Sequence, residues 1–191
     1  MTTFHWAPGK TVRKQPVSEP VPVLRTQSTD ELSREMSARE LPSLFRAVVL
    51  GRTTVPIDRD ADVGDWLLAP ILTSRPRPEW WKRVESTPML LVAGMDCDFE
   101  TVDMLEGTAN VRFWDHEIGY DDLPPPETPM SWVCDKVQTY VECELLADSV
   151  NDQSATRKLA ALLDELLACA GETERGPLRH WWKSTSWGKA S

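Results

Sequence analysis

The sequence predicts an α+β fold: an antiparallel β-meander packed with helices, flanked by an extended N-terminal arm and a C-terminal helix. Three observations carry this. Met89 to Ala93, Phe99 to Leu105 and Asn110 to Asp115 are β-like runs, separated by Asp-rich and Gly107-containing turns. The stretches before and after them repeat apolar residues at helical spacing. Helix-start and helix-stop residues bracket those stretches. Four segments follow: a flexible Pro-rich arm over 1–27, an α+β core over 28–150, an amphipathic helix over 151–171 and a tail rich in Trp and basic residues over 172–191.

In chain order, Pro8, Pro16, Pro20 and Pro22 lie among Lys10, Arg13, Lys14 and Arg25, a composition that favours an extended arm over a packed element. Ser28 with Glu31 three residues later is a capping-box pattern, so a short helix starts there with Leu32 and Met36 as its apolar edge. Pro42 opens a second helix that places Leu44, Phe45, Val48 and Val49 on one face, and Gly51 stops it. From Thr53 to Arg77 prolines break the pattern, yet Trp66, Leu67, Leu68, Ile71 and Leu72 are too apolar for solvent, which predicts a short strand or turn under the core. Pro78 with Glu79, Trp80, Trp81 and Val84 predicts a brief helix before the meander.

After the meander, Pro124, Pro125, Pro126 and Pro129 form a stiff loop, and a helix from about Ser131 to Ala147 buries Val133, Val137, Tyr140, Val141 and Leu145. The strongest helix runs from Ser154 to Ala170 with a stripe of Leu159, Leu162, Leu163, Leu166 and Leu167, ended by Gly171. In the tail, one or two of Trp181, Trp182 and Trp187 are expected to fold back, with Trp187 left free.

A chain of 191 residues with 41% hydrophobic content supports one core with appendages. Its net charge of -9 argues against nonspecific nucleic-acid binding, which needs clustered Lys and Arg, and points to basic partners. Cys97, Cys134, Cys143 and Cys169 form neither a CxxC pair nor a zinc-ribbon spacing. No apolar run reaches the roughly 18 residues of a spanning helix, and the N-terminus lacks a signal-peptide pattern. The expectation is a reduced, cytoplasmic protein without a membrane span.

The window from Leu90 to Asp122 holds Asp96, Asp98, Glu100, Asp103, Glu106, Asp115, Glu117, Asp121 and Asp122 against a single base, Arg112. Such a patch attracts basic proteins or metal ions. An EF-hand loop beginning at Asp96 fails, because Thr101 stands where glycine is needed and Gly107 where a bidentate Glu is needed. A divalent site drawing on Asp98, Asp103, Asp115 and Glu117 would suit metal-assisted hydrolysis; the alternative, preferred, is a set of solvated turn and strand-end acids. No metal or cofactor is expected. His116 between Asp115 and Glu117 lacks a nucleophile motif to serve, and is read as a hydrogen-bonded strand-end residue. Cys134, Cys143 and Cys169 are read as small core hydrophobes. Alternation puts Val111 and Phe113 on one face and Arg112 and Trp114 on the other, which leaves Trp114 either a core anchor or an exposed aromatic in an acidic rim.

Leu90 to Gly94, Asp98, Phe99, Asp103 and Val111 to Glu117 together resemble the SMI1/KNR4 (SUKH) superfamily, in which an apolar strand precedes an Asp-containing strand and an aromatic-Trp-Asp-His-Glu strand end. Leu41, Pro42, Phe45 and Val49 are similar to its first helix, and Val133, Val137, Tyr140 and Val141 to its closing helix. The resemblance covers Leu41 to Leu146. Gly51-Arg52-Thr53 replaces the family's Asn-Gly-Gly, and Gly94 alone stands for its glycine-rich turn. The resemblance implies an α+β fold and, in bacteria, a noncatalytic immunity protein that binds and neutralises a cognate toxin. Its partner-binding surface would comprise Asp98, Asp103, Trp114, Asp115, His116, Glu117 and Asp121. A different expectation is a structural protein that forms a homo-oligomer through the N-terminal arm and the Trp-containing tail; a metal-dependent hydrolase ranks last.

Overall fold

The computed structural model describes residues 23–24, 28–58, 89–95, 98–104, 107–114, 124–147 and 152–188. They build an α+β fold with strand order β1-β2-β3-β4. Strands β2 (Met89–Met95), β3 (Asp98–Asp103) and β4 (Asn110–Trp114) form the expected antiparallel meander, in the register Leu90↔Val102↔Val111. A bulge shifts the β2 register between Leu91 and Ala93. Within the stretch expected to be a free arm, β1 (Val23–Leu24) pairs parallel with Met89 and Leu90. The rest of that arm, and the strand and helix expected between Thr53 and Met89, lie outside the described residues from 59 onward.

Helix α1 (Thr29–Ala38) begins at the expected capping box: Ser28 Oγ accepts from the Glu31 amide and Glu31 Oε2 from the Ser28 amide, each at 3.2 Å. Helix α2 (Ser43–Val49) follows Pro42 and ends in a Schellman turn, with Gly51 at φ 64° and the Arg52 amide donating to Ala47 O at 2.9 Å. Only a residue at ease in the left-handed region closes that turn without strain. Helix α3 (Pro129–Tyr140) starts where Thr128 Oγ1 accepts from the Ser131 amide, and runs into a π turn, Val141–Leu145. Helix α4 (Asp152–Cys169) matches the Leu-striped segment.

The core lies between one face of the sheet and the helices. Leu90, Val102 and Val111 meet Phe45, Val48, Trp132, Val137, Leu162 and Leu166 in a single buried cluster. Phe45 and Trp132 rings sit 5.0 Å apart and tilted, which locks α2 to α3.

The tail is corrected. Glu172–Ser184 form a helix, α5, running through Gly176 and Pro177. Glu174, Leu178 and Trp182, four residues apart, face inward and are buried, and burial of that stripe outweighs the one backbone donor that Pro177 lacks. Trp187, expected to be free, is 6% exposed and packs edge-on to Trp182 at 6.5 Å. The ring completes the chain's own core. Cys134 is buried and Cys169 half-buried, but Cys143, in the π turn, is exposed rather than a core residue.

Candidate functional site

The sequence-expected surface centres on β3 and β4. Of its residues, Asp115, His116, Glu117 and Asp121 lie outside the described residues. Asp98, Asp103 and Trp114 are placed, and the structure does not bring them together as one exposed patch. Asp98 and Asp103 occupy opposite ends of β3, five steps or about 17 Å apart, and differ in strand parity, so they project from opposite faces. A divalent ion cannot use both. Among the described residues no group of three His, Cys, Asp or Glu side chains is arranged to hold a metal.

Trp114 is 0% exposed, which resolves its two readings in favour of the core anchor. Its ring stacks on Phe99 across the strand pair at 5.9 Å and 9°. Its Nε1 donates to Thr101 Oγ1 at 2.9 Å, and that hydroxyl donates to Met89 Sδ at 3.3 Å. Asp103, 1% exposed, receives Arg112 Nε at 2.5 Å. Both faces of the sheet are therefore withdrawn from water: one under the helices, the other through Met89, Phe99, Thr101, Asp103 and Trp114. Neither Asp103 nor Trp114 can meet a partner directly, a correction to their expected role.

The exposed aromatic is instead Phe113, 37% exposed and the large apolar side chain most open to solvent among the described residues. It stands on edge strand β4 directly opposite Glu100. Strand periodicity puts Phe113 on the Val111 face, but one rung further along, where the helices no longer cover it. Around it, α3 and the bridge residue Glu127 just before it supply charge. Glu127 bridges to Val111 through both backbone groups, at 2.7 and 3.0 Å. Lys136 donates to Glu100 Oε1 at 2.8 Å and lies 5.4 Å above the Trp132 ring. Glu100 Oε2 is buried and accepts no hydrogen bond.

Glu127 is held above the ordinary carboxylate value, first by burial and then by repulsion from Asp135 and Glu100, against a hydrogen bond with Ser131 and the charge of Lys136. Among the described residues one cation, Lys136, thus serves the three neighbouring carboxyls of Glu100, Glu127 and Asp135. Arrangements of this kind bind an additional cationic group favourably, because it relieves repulsion already present. Sequence reasoning missed Phe113, Glu127 and Lys136. The alternation along β4 had put Phe113 and Trp114 on opposite faces, but which of those faces was covered depends on the helices.

Among the described residues no helix is long and apolar enough to cross a membrane. Comparison of the chain with protein-family models, with curated proteins and with solved structures finds no match.

Proposed function

We propose that this chain is a noncatalytic protein-binding module of the SUKH kind, an immunity-type protein of the cytoplasm that captures and neutralises a cognate basic toxin. The observation that carries the reading is Phe113, an exposed aromatic on an edge strand, set against the carboxyls of Glu100 and Glu127. An exposed aromatic anchor beside carboxyls that outnumber the neighbouring Lys136 suits capture of a further cationic group. The net charge of -9 would steer a basic partner toward it and raise the association rate. The SUKH resemblance from Leu90 to Glu117 supports the same reading, with Phe113 taking the role first expected of Trp114.

Affinity capture from native lysate, with Phe113→Ala and Glu100→Gln variants beside the natural chain, tests this. The natural chain should recover one basic partner at fixed stoichiometry, lost with Phe113→Ala and weakened with Glu100→Gln. A partner retained by both variants would remove this surface from the reading. Recovery of the chain only as its own oligomer would favour assembly.

A further inference from the structure

A second feature, which shares no residue with the Phe113 surface, is a cleft of about 290 Å³ between α1, α2 and the C-terminal end of α4. Its walls carry Ser33, Ser43, Arg46, Leu50, Arg52 and Cys169. In a chain with 30 acids and 21 bases, two arginines line one cavity that has no acid among its described lining residues. Among the described residues neither forms an ion pair.

The fold fixes the Arg46 guanidinium and the backbone of Arg52. Arg46 Nη1 donates to Ser37 Oγ at 2.8 Å and Nη2 to Ser43 Oγ at 3.4 Å, while its buried Nε has no partner. Arg52 is set at the cleft by the Schellman turn that ends α2. The carboxylates nearby in the fold are already engaged. Glu165 accepts from the Thr54 amide and hydroxyl, and Glu174 from the amides of Leu44 and Gly171. Burial, with Glu165 adding, raises the Cys169 thiol above its ordinary value against the pull of Arg52, so it lines the cleft as a neutral group.

We propose that this cleft is a binding site for the phosphate monoester of a small soluble molecule, with Arg46 and Arg52 as its cationic arms. Arginine presents paired donors matched to phosphate oxygens, and a dianion compensates two guanidinium charges where a single carboxylate would leave one over. Ser43 Oγ accepts from Arg46, which leaves its own proton to donate to a ligand oxygen, and Ser33 offers a second hydroxyl. The volume matches the lower end of the roughly 300–1,000 Å³ typical of small-molecule sites, enough for a phosphate and a few carbons.

Isothermal titration of the full chain with inorganic phosphate, glycerol phosphate and citrate at constant ionic strength tests the assignment. Both phosphate probes should bind more tightly than citrate. Arg52→Gln should weaken them by about ten-fold or more, consistent with loss of a charge-assisted pair. Arg52 is exposed, so this variant should keep the circular dichroism of the natural chain, and Arg46→Gln, checked in the same way, should weaken binding further. Absence of binding by either phosphate probe up to about 10 mM would overturn the proposal. So would citrate binding as tightly as phosphate, or affinity unchanged in a folded Arg52→Gln chain.

Discussion

Glu174→Ala should be among the most damaging single changes in the chain, although it removes a charged residue from a segment that reads as a surface tail. The carboxylate is 9% exposed and joins two helix starts separated by 130 residues of sequence: its oxygens accept the Leu44 amide of α2, each at 3.3 Å, and the Gly171 amide ahead of α5. The approach is close enough that a Cβ at position 171 would lie 2.8 Å from Glu174 Oε2 and push that carboxylate aside. A hydrogen bond to a charged acceptor contributes about 1.5–3 kcal/mol, and the Leu44 contacts are long, so losing both amide partners should cost about 3–4 kcal/mol. That is a large fraction of the roughly 5–15 kcal/mol that holds a domain together. Urea unfolding followed by tryptophan fluorescence reads it directly. At a slope of about 2–3 kcal/mol per molar, the midpoint should fall by more than about 1 M. Glu174→Gln keeps one acceptor oxygen and should fall between the two. An alanine variant within about 0.2 M of the natural chain would mean that the two amides have other acceptors, and the account of α5 docking would fail.

Thr101→Val, nearly isosteric, should destabilise by about 1–3 kcal/mol, because the buried hydrogen bond from Trp114 Nε1 to the Thr101 hydroxyl is lost; an unchanged urea midpoint would contradict the placement of that ring. Glu127 is raised above 4.5 in the folded protein, so the native state binds its proton more readily than the unfolded chain does. Its contribution to stability is present below the ordinary value and lost as pH rises through the folded one. Glu127→Gln should therefore raise the urea midpoint at about pH 7 and converge with the natural chain at about pH 4, and a variant less stable at neutral pH would reverse the sign. Cys134 is pushed up to about 12 by burial, with Asp135 and Glu127 adding, whereas Cys143 is exposed. Native alkylation at about pH 8 should label Cys143 and spare Cys134 until the chain is unfolded, since only the thiolate reacts. Equal labelling of both would place Cys134 at the surface.

Much of the fold was legible because its signals are local. The Ser28/Glu31 capping box, the Pro42 start and Gly51 stop of α2, the Leu stripe of α4 and the three β-like runs each depend on residues within a few positions of one another. The helix over Glu172–Ser184 and the burial of Trp187 were not legible, for the opposite reason. Gly176-Pro177 suggests a break, and the inward stripe of Glu174, Leu178 and Trp182 becomes favourable only against a core assembled from distant helices. The candidate surface divides in the same way. Sequence alternation separated Phe113 from Trp114, but exposure is a property of what covers each face.

The sequence alone therefore determined the class of fold, the order of most described elements, the net acidity and the assignment of neighbouring aromatics to opposite faces, because charge, capping and periodicity are written residue by residue. Tertiary structure alone decided that Trp114 is an anchor and Phe113 the exposed ring, that Asp98 and Asp103 do not share a site, that Glu174 ties α5 to α2, and that Arg46 and Arg52 meet across one cleft. Each of these depends on which surfaces exclude water and which charges are brought within a few ångströms, and no local pattern encodes a distance between residues far apart in the chain.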